Sequence, residues 1–393
     1  MKPKLWDETG KVVVQFQRGL AVPRAFLQNG RLQIGPLSEG AWSAPSRAER
    51  RRLTRTSIRI RVSANADRSP VGIIVPAVLH RPMPHDGVIR GVSFVRERVG
   101  LNWRHRVLFM VSEPAFPVST TSINAVGVDL GWRLTQKGLR VAYWAGDDGE
   151  CGELLLPPRD LNEFKRIGSL QGVIITAHEQ ARTRLASFLA RKSLPHEIRK
   201  LIGEAVRSPS PRALVNLLEK WTAHRFAGDR YAFSKLRDWH KQHIHLWTWR
   251  ANLRDQLLRR RRELYRRFAA NLSEQYGKVF VNDIQLRSLV EKPDIPVLAP
   301  IQRQRRFIAA ISVLDRILHN ACQKRGAILE RVKCKGATIS CHLCGATDDW
   351  NPRTTLMHTC SKCGRSWDQD YNAAMHVLKH GTSLSKRREA EKG

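Results

Sequence analysis

Four cysteines near the C-terminus limit what this chain can be more than any other feature. Cys341-His-Leu-Cys344 and Cys360-Ser-Lys-Cys363 are two C-x-x-C pairs with fifteen residues between them, the spacing of a structural four-cysteine zinc site. Each pair sets two thiolates on one tight knuckle, and two knuckles complete a tetrahedron. Gly345 and Gly364 directly follow the pairs, where the backbone must turn back through a left-handed residue. The competing reading is four free or redox thiols; the spacing favours zinc, one ion per chain. Four protein ligands leave no open coordination position, so this zinc is expected to be structural. Cys334 lies seven residues upstream and outside the pattern, and His342 and His358 are alternative ligands within it. The remaining cysteines, Cys151 and Cys322, bring the total to seven, an odd and clustered set that does not read as a secreted disulfide framework.

Charge narrows the partner. Lys and Arg number 68 against 35 Asp and Glu in 393 residues, a net +33. Such an excess repels itself unless a polyanion neutralises it. DNA or RNA is the usual polyanion, and an acidic membrane surface is the rival. The rival needs an apolar anchor, and the sequence has neither an apolar run of about 20 residues nor the apolar stretch of a signal peptide in its opening MKPKLWDETG. The expectation is a cytoplasmic, nucleoid-associated protein with no membrane partner.

Along the chain, residues 1–120 are β-rich and basic. Residues 12–16 are β-prone, and Ile58, Ile60 and Val62 alternate with Arg59 and Arg61 as a half-buried strand with a basic outer face. Further strand candidates are residues 71–79, broken by Pro76, and 107–111; residues 47–55 alone look helical. A short buried strand follows at 125–130, with a hairpin partner at 139–144. Residues 160–275 read as helix, most clearly at 239–272, where Leu246, Leu253, Leu257, Leu264, Phe268 and Leu272 form an apolar stripe. Then come a strand at 278–284, a helix at 307–324, a strand at 328–332, the cysteine cluster, a short helix at 371–379, and a basic tail from Ser383 expected to be disordered. The fold class is α/β, with strands separated by helices from residue 123 onward.

Two carboxylates stand out. Asp129 ends an apolar strand between two glycines in Gly127-Val128-Asp129-Leu130-Gly131, where a charge is costly unless paired or metal-bound; the plainer reading is a turn-capping Asp. Asp370 lies in Trp367-Asp368-Gln369-Asp370-Tyr371-Asn372-Ala373-Ala374. Its plainer reading is a helix N-cap, a role Asp368 could equally take. Ala373 and Ala374 would let the following helix lie close on a sheet.

Together the Gly127–Gly131 stretch, the cysteine cluster and the Asp370-Tyr371-Asn372-Ala373-Ala374 run after it resemble the transposon-associated TnpB proteins and the type V CRISPR effectors derived from them. Thr338-Ile339-Ser340-Cys341 and Leu343-Cys344-Gly345 resemble the start of that family's zinc ribbon. The resemblance covers roughly residues 123–380. It implies a RuvC, RNase H-like nuclease fold with a long helical insertion, interrupted by the ribbon just before its last helix and preceded by a β-rich wedge-like barrel. The implied segments are 1–120 wedge-like; 121–157 first RuvC segment; 158–275 helical and Arg-rich; 276–333 second RuvC segment; 334–366 ribbon; 367–381 last helix; and 382–393 tail. It also implies a guide RNA and target DNA as partners, with the protein holding the heteroduplex by its backbone.

An active RuvC endonuclease uses three carboxylates around Mg2+, a hard ion that prefers oxygen. By resemblance Asp129 is the first and Asp370 the third. The second, a Glu, falls on Asn282 in Val279-Phe280-Val281-Asn282-Asp283-Ile284. An amide carries no charge, so metal affinity should fall. Asp283 points to the other face of a regular strand and could substitute only through a bulge or register shift; Glu291 is a weaker substitute. A second departure is that no clear helical recognition lobe precedes Asp129; the alternatives are a missing lobe, a minimal one, or one supplied by a second chain.

Opposite the apolar stripe lie Arg250, Arg254, Arg259, Arg260, Arg262, Arg266 and Arg267. The Arg259–Arg262 run would most often be a solvated helix face. An excess without Glu partners at four-residue steps instead favours phosphate contact by Arg254, Arg259, Arg260, Arg262, Arg266 and Arg267. Trp239, Trp247 and Trp249 are expected in the core rather than stacked on bases, and His240, His243 and His245 in solvent rather than on a metal. Three functions remain: an RNA-guided DNA-binding protein with RuvC cleavage weakened or lost; an active RNA-guided Mg2+-dependent DNA endonuclease using Asp129, Asp370 and a substitute acid such as Asp283; and a guide-free zinc-ribbon nucleic-acid-binding protein.

Overall fold

The computed structural model describes residues 10–21, 32–38, 40–84, 87–99, 102–112, 122–191, 194–283, 300–334, 336–351 and 355–390. The chain divides into two compact units, Met1–Ala115 and Phe116–Gly393.

In the first unit, strands β1 (Gly10–Ala21), β5 (Val88–Val99) and β6 (Asn102–Ser112) form one antiparallel sheet in the order β1-β5-β6. Strands β2 (Leu32–Ile34), β3 (Arg55–Ala64) and β4 (Pro70–Val78) form a second, in the order β2-β3-β4. One apolar core joins them: Leu32, Ile34, Ile58 and Ile60 from one sheet against Ile89 and Val92 from the other. The expected alternation holds, with Ile58 and Ile60 buried and Arg59 and Arg61 exposed. Helix α1 (Arg47–Leu53) is the sole helix among the described residues of this unit, and Ser46 caps it by accepting from the Glu49 amide. Strand β5 has no clear signal in the sequence, because Gly91 and its charged residues break the apolar pattern.

The second unit is built on a five-stranded sheet. Strands β7 (Ala125–Thr135), β8 (Gly138–Gly146) and β9 (Cys151–Leu156) form an antiparallel meander. Strand β10 (Lys278–Asn282) then pairs parallel to β7, and β11 (Ile328–Val332) parallel to β10. The order across the sheet is β11-β10-β7-β8-β9. Between β9 and β10 the chain runs through helices α2 (Pro158–Arg191), α3 (His196–Arg207), α4 (Pro211–Ala223) and α5 (Arg230–Gln275). Helices α6 (Pro300–Ala309) and α7 (Ile311–Arg325) precede β11, and α8 (Gln369–Ala390) ends the described chain.

Both faces of the sheet are covered, as a parallel pair requires. On one face Val126, Val128 and Val281 meet Tyr265, Ala269 and Leu272 of α5 and Leu314 and Leu318 of α7. On the other, Ala125, Phe280 and Val332 meet Val377 and Leu378 of α8. That second contact is close because Gly127 has no side chain: a Cβ there would run into the Ala374 carbonyl of α8. Ala373 and Ala374 are both buried, so the helix lies close on the sheet as those two residues suggest.

The tail is corrected. Helix α8 does not stop near Lys379 but continues to Ala390. Ser385 is buried and accepts a hydrogen bond from Lys278 Nζ at 3.0 Å, and Arg388 pairs with Glu330 at 3.0 Å. Contacts with β10 and β11 therefore order residues whose composition alone reads as a solvated tail.

Candidate metal centre and carboxylate cluster

The four predicted cysteines converge. Their Sγ atoms all lie within 4.8 Å of one another, with Cys341–Cys363 at 3.7 Å and Cys344–Cys360 at 3.6 Å. Among the described residues this is the only group of three or more His, Cys, Asp or Glu side chains placed to hold a metal ion. The knuckles have the expected form. Gly345 and Gly364 take φ of 73° and 68°, and their amides donate to the Cys341 and Cys360 carbonyls, both at 2.9 Å. Burial opposes a thiolate at Cys341, but the Cys344 and Leu343 amides that face its sulfur outweigh it and bring the thiol down to about 7. The alternative ligands are engaged elsewhere. His358 Nε2 meets Asp348 at 2.6 Å, and His342 Nδ1 meets Asn372 at 2.8 Å. Strands β12 (Met357–Thr359) and β13 (Ser366–Asp368) pair across the ribbon, and Trp350 and Trp367 pack edge to face at 5.6 Å as its small core.

Asn372 clamps this ribbon to α8, a role its sequence context did not reveal. It is fully buried. Its Nδ2 donates to the Ala337 and Ser340 carbonyls at 2.7 and 2.8 Å, and its Oδ1 accepts from the His342 amide and Nδ1, both at 2.8 Å. All four hydrogen-bonding positions of the amide are used, and the two carbonyls fix which end is nitrogen. His342 must then carry its proton on Nδ1.

Asp129, Asn282 and Asp370 meet on the sheet. Val281 is in register with Val128, so the next residues, Asn282 and Asp129, are neighbours on adjacent parallel strands. Asn282 Nδ2 donates to Asp129 Oδ1 at 3.1 Å. Burial raises the Asp129 carboxyl from 3.8 to about 7; the Asp370 charge adds to the rise, while the Asn282 hydrogen bond and Arg133 oppose it. The Asp283 amide donates to the Val332 carbonyl at 2.9 Å, one residue beyond the end of β10. Among the described residues no hydrogen bond or ion pair joins its carboxylate to Asp129 or Asp370. Ile284 and Glu291 lie outside the described residues.

Asp370 sits in the first turn of α8, and Asp368 supplies the cap, its Oδ1 accepting from the Asp370 amide at 2.8 Å. Burial raises the Asp370 carboxyl, opposed by Arg140 and Arg133. These arginines are the functional residues that sequence reasoning missed. Arg140 Nη1 lies 2.8 Å from Asp370 Oδ2 and within 3.0 Å of both Asp368 oxygens, and its Nε donates to Glu153 at 2.7 Å. Burial disfavours its charge, but Asp370 and Asp368 outweigh that and hold its pKa above the ordinary value. A signal was present: Arg140 interrupts Leu139-Arg140-Val141-Ala142, and a cation in a buried strand needs an anion.

The predicted phosphate contacts divide. Arg254, Arg259, Arg262, Arg266 and Arg267 of α5 are exposed. Contrary to the expectation of no Glu partners at four-residue steps, Arg267 reaches Glu263 at 3.5 Å, and Arg259 reaches Asp255 at 2.8 Å. Arg260 turns to Asp160 and Glu163 of α2, which dock it between the helices. Arg261 is buried and donates to the Ile308 carbonyl at 2.6 Å. Trp239 is buried as expected; Trp249 is 40% exposed, with the Arg166 guanidinium 4.4 Å above its ring. No helix among the described residues is long and apolar enough to cross a membrane.

The family model described as Cas12f1-like, TNB domain matches residues 312–377, from α7 through the ribbon into α8. The CRISPR-associated DNA-binding protein Cas12m of Thermanaerosceptrum fracticalcis is 38% identical over 381 residues, 95% of this chain and 64% of that protein. Its namesake from Allomeiothermus silvanus is 35% identical over 386 residues, 95% of this chain and 70% of that protein. The solved Cas12f1–sgRNA–target DNA complex overlays 82% of this chain and 59% of that chain at a TM-score of 0.43 and 11% identity, an overlap too slight to place residues. The class is thus that of the type V CRISPR effectors. Within it, the chain belongs to the Cas12m family, and it spans just under two thirds of the Thermanaerosceptrum relative.

Proposed function

We propose that this chain is an RNA-guided DNA-binding protein whose RuvC cleavage has been lost. One observation carries the reading: at the strand position where a nuclease needs its second carboxylate, the Asn282 amide donates a hydrogen bond to Asp129. An N–H pointed at a carboxylate does the reverse of what a metal ligand must do. The order β11-β10-β7-β8-β9, with β10 parallel to β7, supports an RNase H-like RuvC sheet, and the two sheets of the first unit support a wedge-like barrel. The relatives' own name, DNA-binding protein, agrees.

Two metals follow from this family, and the residues treat them differently. Zinc fits: tetrahedral thiolates at about 2.3 Å from zinc stand about 3.8 Å apart, against 3.6 and 3.7 Å for the two cysteine pairs. Cys341, Cys344, Cys360 and Cys363 would hold it as a structural ion that joins the two knuckles. Magnesium does not fit. Asp129 faces an amide donor, both Asp370 oxygens face arginines, and among the described residues Asp283 forms no group of three acids with them placed to hold a metal. Exposed arginines of α5, Arg254, Arg262 and Arg266 foremost, are the surface for the guide–target backbone.

The test is the protein copurified with its RNA. Sequencing should return one defined guide species, and the complex should retain target DNA without nicking it in millimolar Mg2+. Cleavage abolished by Asp129→Ala would establish the active endonuclease instead, and heterogeneous RNA would establish a guide-free binder.

A further inference from the structure

Arg140 lies among the acids of the carboxylate cluster, in contact with Glu153, Asp368 and Asp370. It is 7% exposed and stands on β8 directly opposite Arg133 of β7, so both guanidiniums project from one face of the sheet. Its Nη1 sits 2.8 Å from Asp370 Oδ2 and 2.9 and 3.0 Å from the two Asp368 oxygens, while Nε and Nη2 each lie 2.7 Å from Glu153 Oε2. The other Asp370 oxygen, Oδ1, receives Gln369 Nε2 at 3.2 Å and lies 3.4 Å from Arg133 Nε. Each oxygen that a divalent ion would take from Asp370 therefore already accepts from a nitrogen donor and faces a guanidinium. The acids come from β9, β13 and the first turn of α8, and the cation from β8.

We infer that the Arg140 guanidinium is the resident cation of this cluster: it pairs with Glu153, Asp368 and Asp370 at once, and it excludes a divalent ion from Asp370 independently of Asn282. The exclusion has two parts. A dication approaching Asp370 must displace a hydrogen-bonded guanidinium from the same oxygen, and it meets a buried like charge while doing so. Returning a carboxylate at position 282 answers neither. The inference rests on the RuvC reading only in taking Mg2+ as the ion excluded. It predicts that loss of the metal site is a two-residue property, so that Asn282→Glu by itself creates no Mg2+ site, whereas Asn282→Glu combined with Arg140→Gln does.

The experiment is Mg2+ titration calorimetry, with thermal melts, on the full-length zinc-loaded chain freed of nucleic acid. The parent, N282E and N282E/R140K should show no saturable Mg2+ heat and no Mg2+-dependent rise in melting temperature. N282E/R140Q should bind at least tenfold more tightly than N282E, with a melting temperature lowered by loss of the guanidinium and raised again by Mg2+. Equal binding by N282E and N282E/R140Q would overturn the inference, as would a folded N282E/R140Q that binds no Mg2+. If N282E/R140Q does not fold, the N282E titration still decides: a saturable Mg2+ site in that single variant refutes the role given to Arg140. Neither outcome touches the proposed function, which fails separately if the parent complex cleaves DNA.

Discussion

Replacing Asn372 by alanine should destabilise the second unit by about 4 kcal/mol. The side chain makes four hydrogen bonds, at 2.7–2.8 Å, from a position with no solvent exposure. Each is worth about 1 kcal/mol net. Alanine also strands the His342 amide and the Ala337 carbonyl, while the Ser340 carbonyl keeps His376 Nε2 at 2.9 Å; an unsatisfied buried group costs about 1–3 kcal/mol, and water entering the space left behind offsets part of that. A loss of about 4 kcal/mol lowers the melting temperature by roughly 8–16 °C in a unit of this size. Because the bonds join α8 to the first knuckle, the damage should appear at the ribbon first. The assay is urea unfolding of parent and N372A with zinc present, followed by far-UV circular dichroism and by the fluorescence of Trp350 and Trp367 in the ribbon. Asn372→Asp is the companion: it keeps the acceptor for His342 but turns a carboxylate oxygen towards two carbonyls, and should be at least as damaging. An N372A midpoint corresponding to less than about 1 kcal/mol of lost stability, the worth of a single hydrogen bond, would refute the clamp.

Asp129 sets a pH dependence. With its carboxyl raised from 3.8 to about 7, the folded chain holds a proton between those values that the unfolded chain has released, so stability falls as pH rises from about 4 to about 7 and levels above. Asp129→Asn should flatten that slope and stabilise the protein at pH 8 by at most about 4 kcal/mol, read from urea midpoints at pH 5 and pH 8. Gly127→Ala forces α8 away from β7, because its Cβ meets the Ala374 carbonyl and the Leu378 amide; a loss of about 2 kcal/mol or more is expected from overpacking, with N372A as the reference for the same helix. Chelation should release one zinc per chain, measured by a metallochromic dye, and open residues 336–390 to protease before the first unit. Arg254→Ala, Arg262→Ala and Arg266→Ala should each reduce the salt slope of nucleic-acid binding by up to about 1 while leaving unfolding midpoints unchanged.

Much of the architecture was legible because it is written in short-range pattern. The strand at β7, its partner β8, the apolar stripe of α5 and the β10 strand all follow from periodicity, and close packing of α8 follows from Ala373 and Ala374; that Gly127 is the residue they meet came from the fold. Strand β5 was not legible, since its glycine and charges disguise a strand whose burial comes from the opposing sheet. The last turns of α8 were not legible either, because Ser385 and Arg388 find their partners on strands 107 and 58 residues earlier in the chain.

The four cysteines needed no tertiary information: ligand spacing and a following glycine are local properties, and the structure gathers the thiols as that spacing requires. The identity of Asn282 was equally plain, and with it the missing charge. What only the fold decided is the direction of the hydrogen bond from Asn282 to Asp129, the use of Arg260 between helices, and above all the place of Arg140. Its partners Asp368 and Asp370 lie 228 and 230 residues away in sequence. A local pattern can say that a buried arginine needs an anion; only the packing of β8 against the start of α8 says that the anion is the carboxylate at which a nuclease would hold its metal.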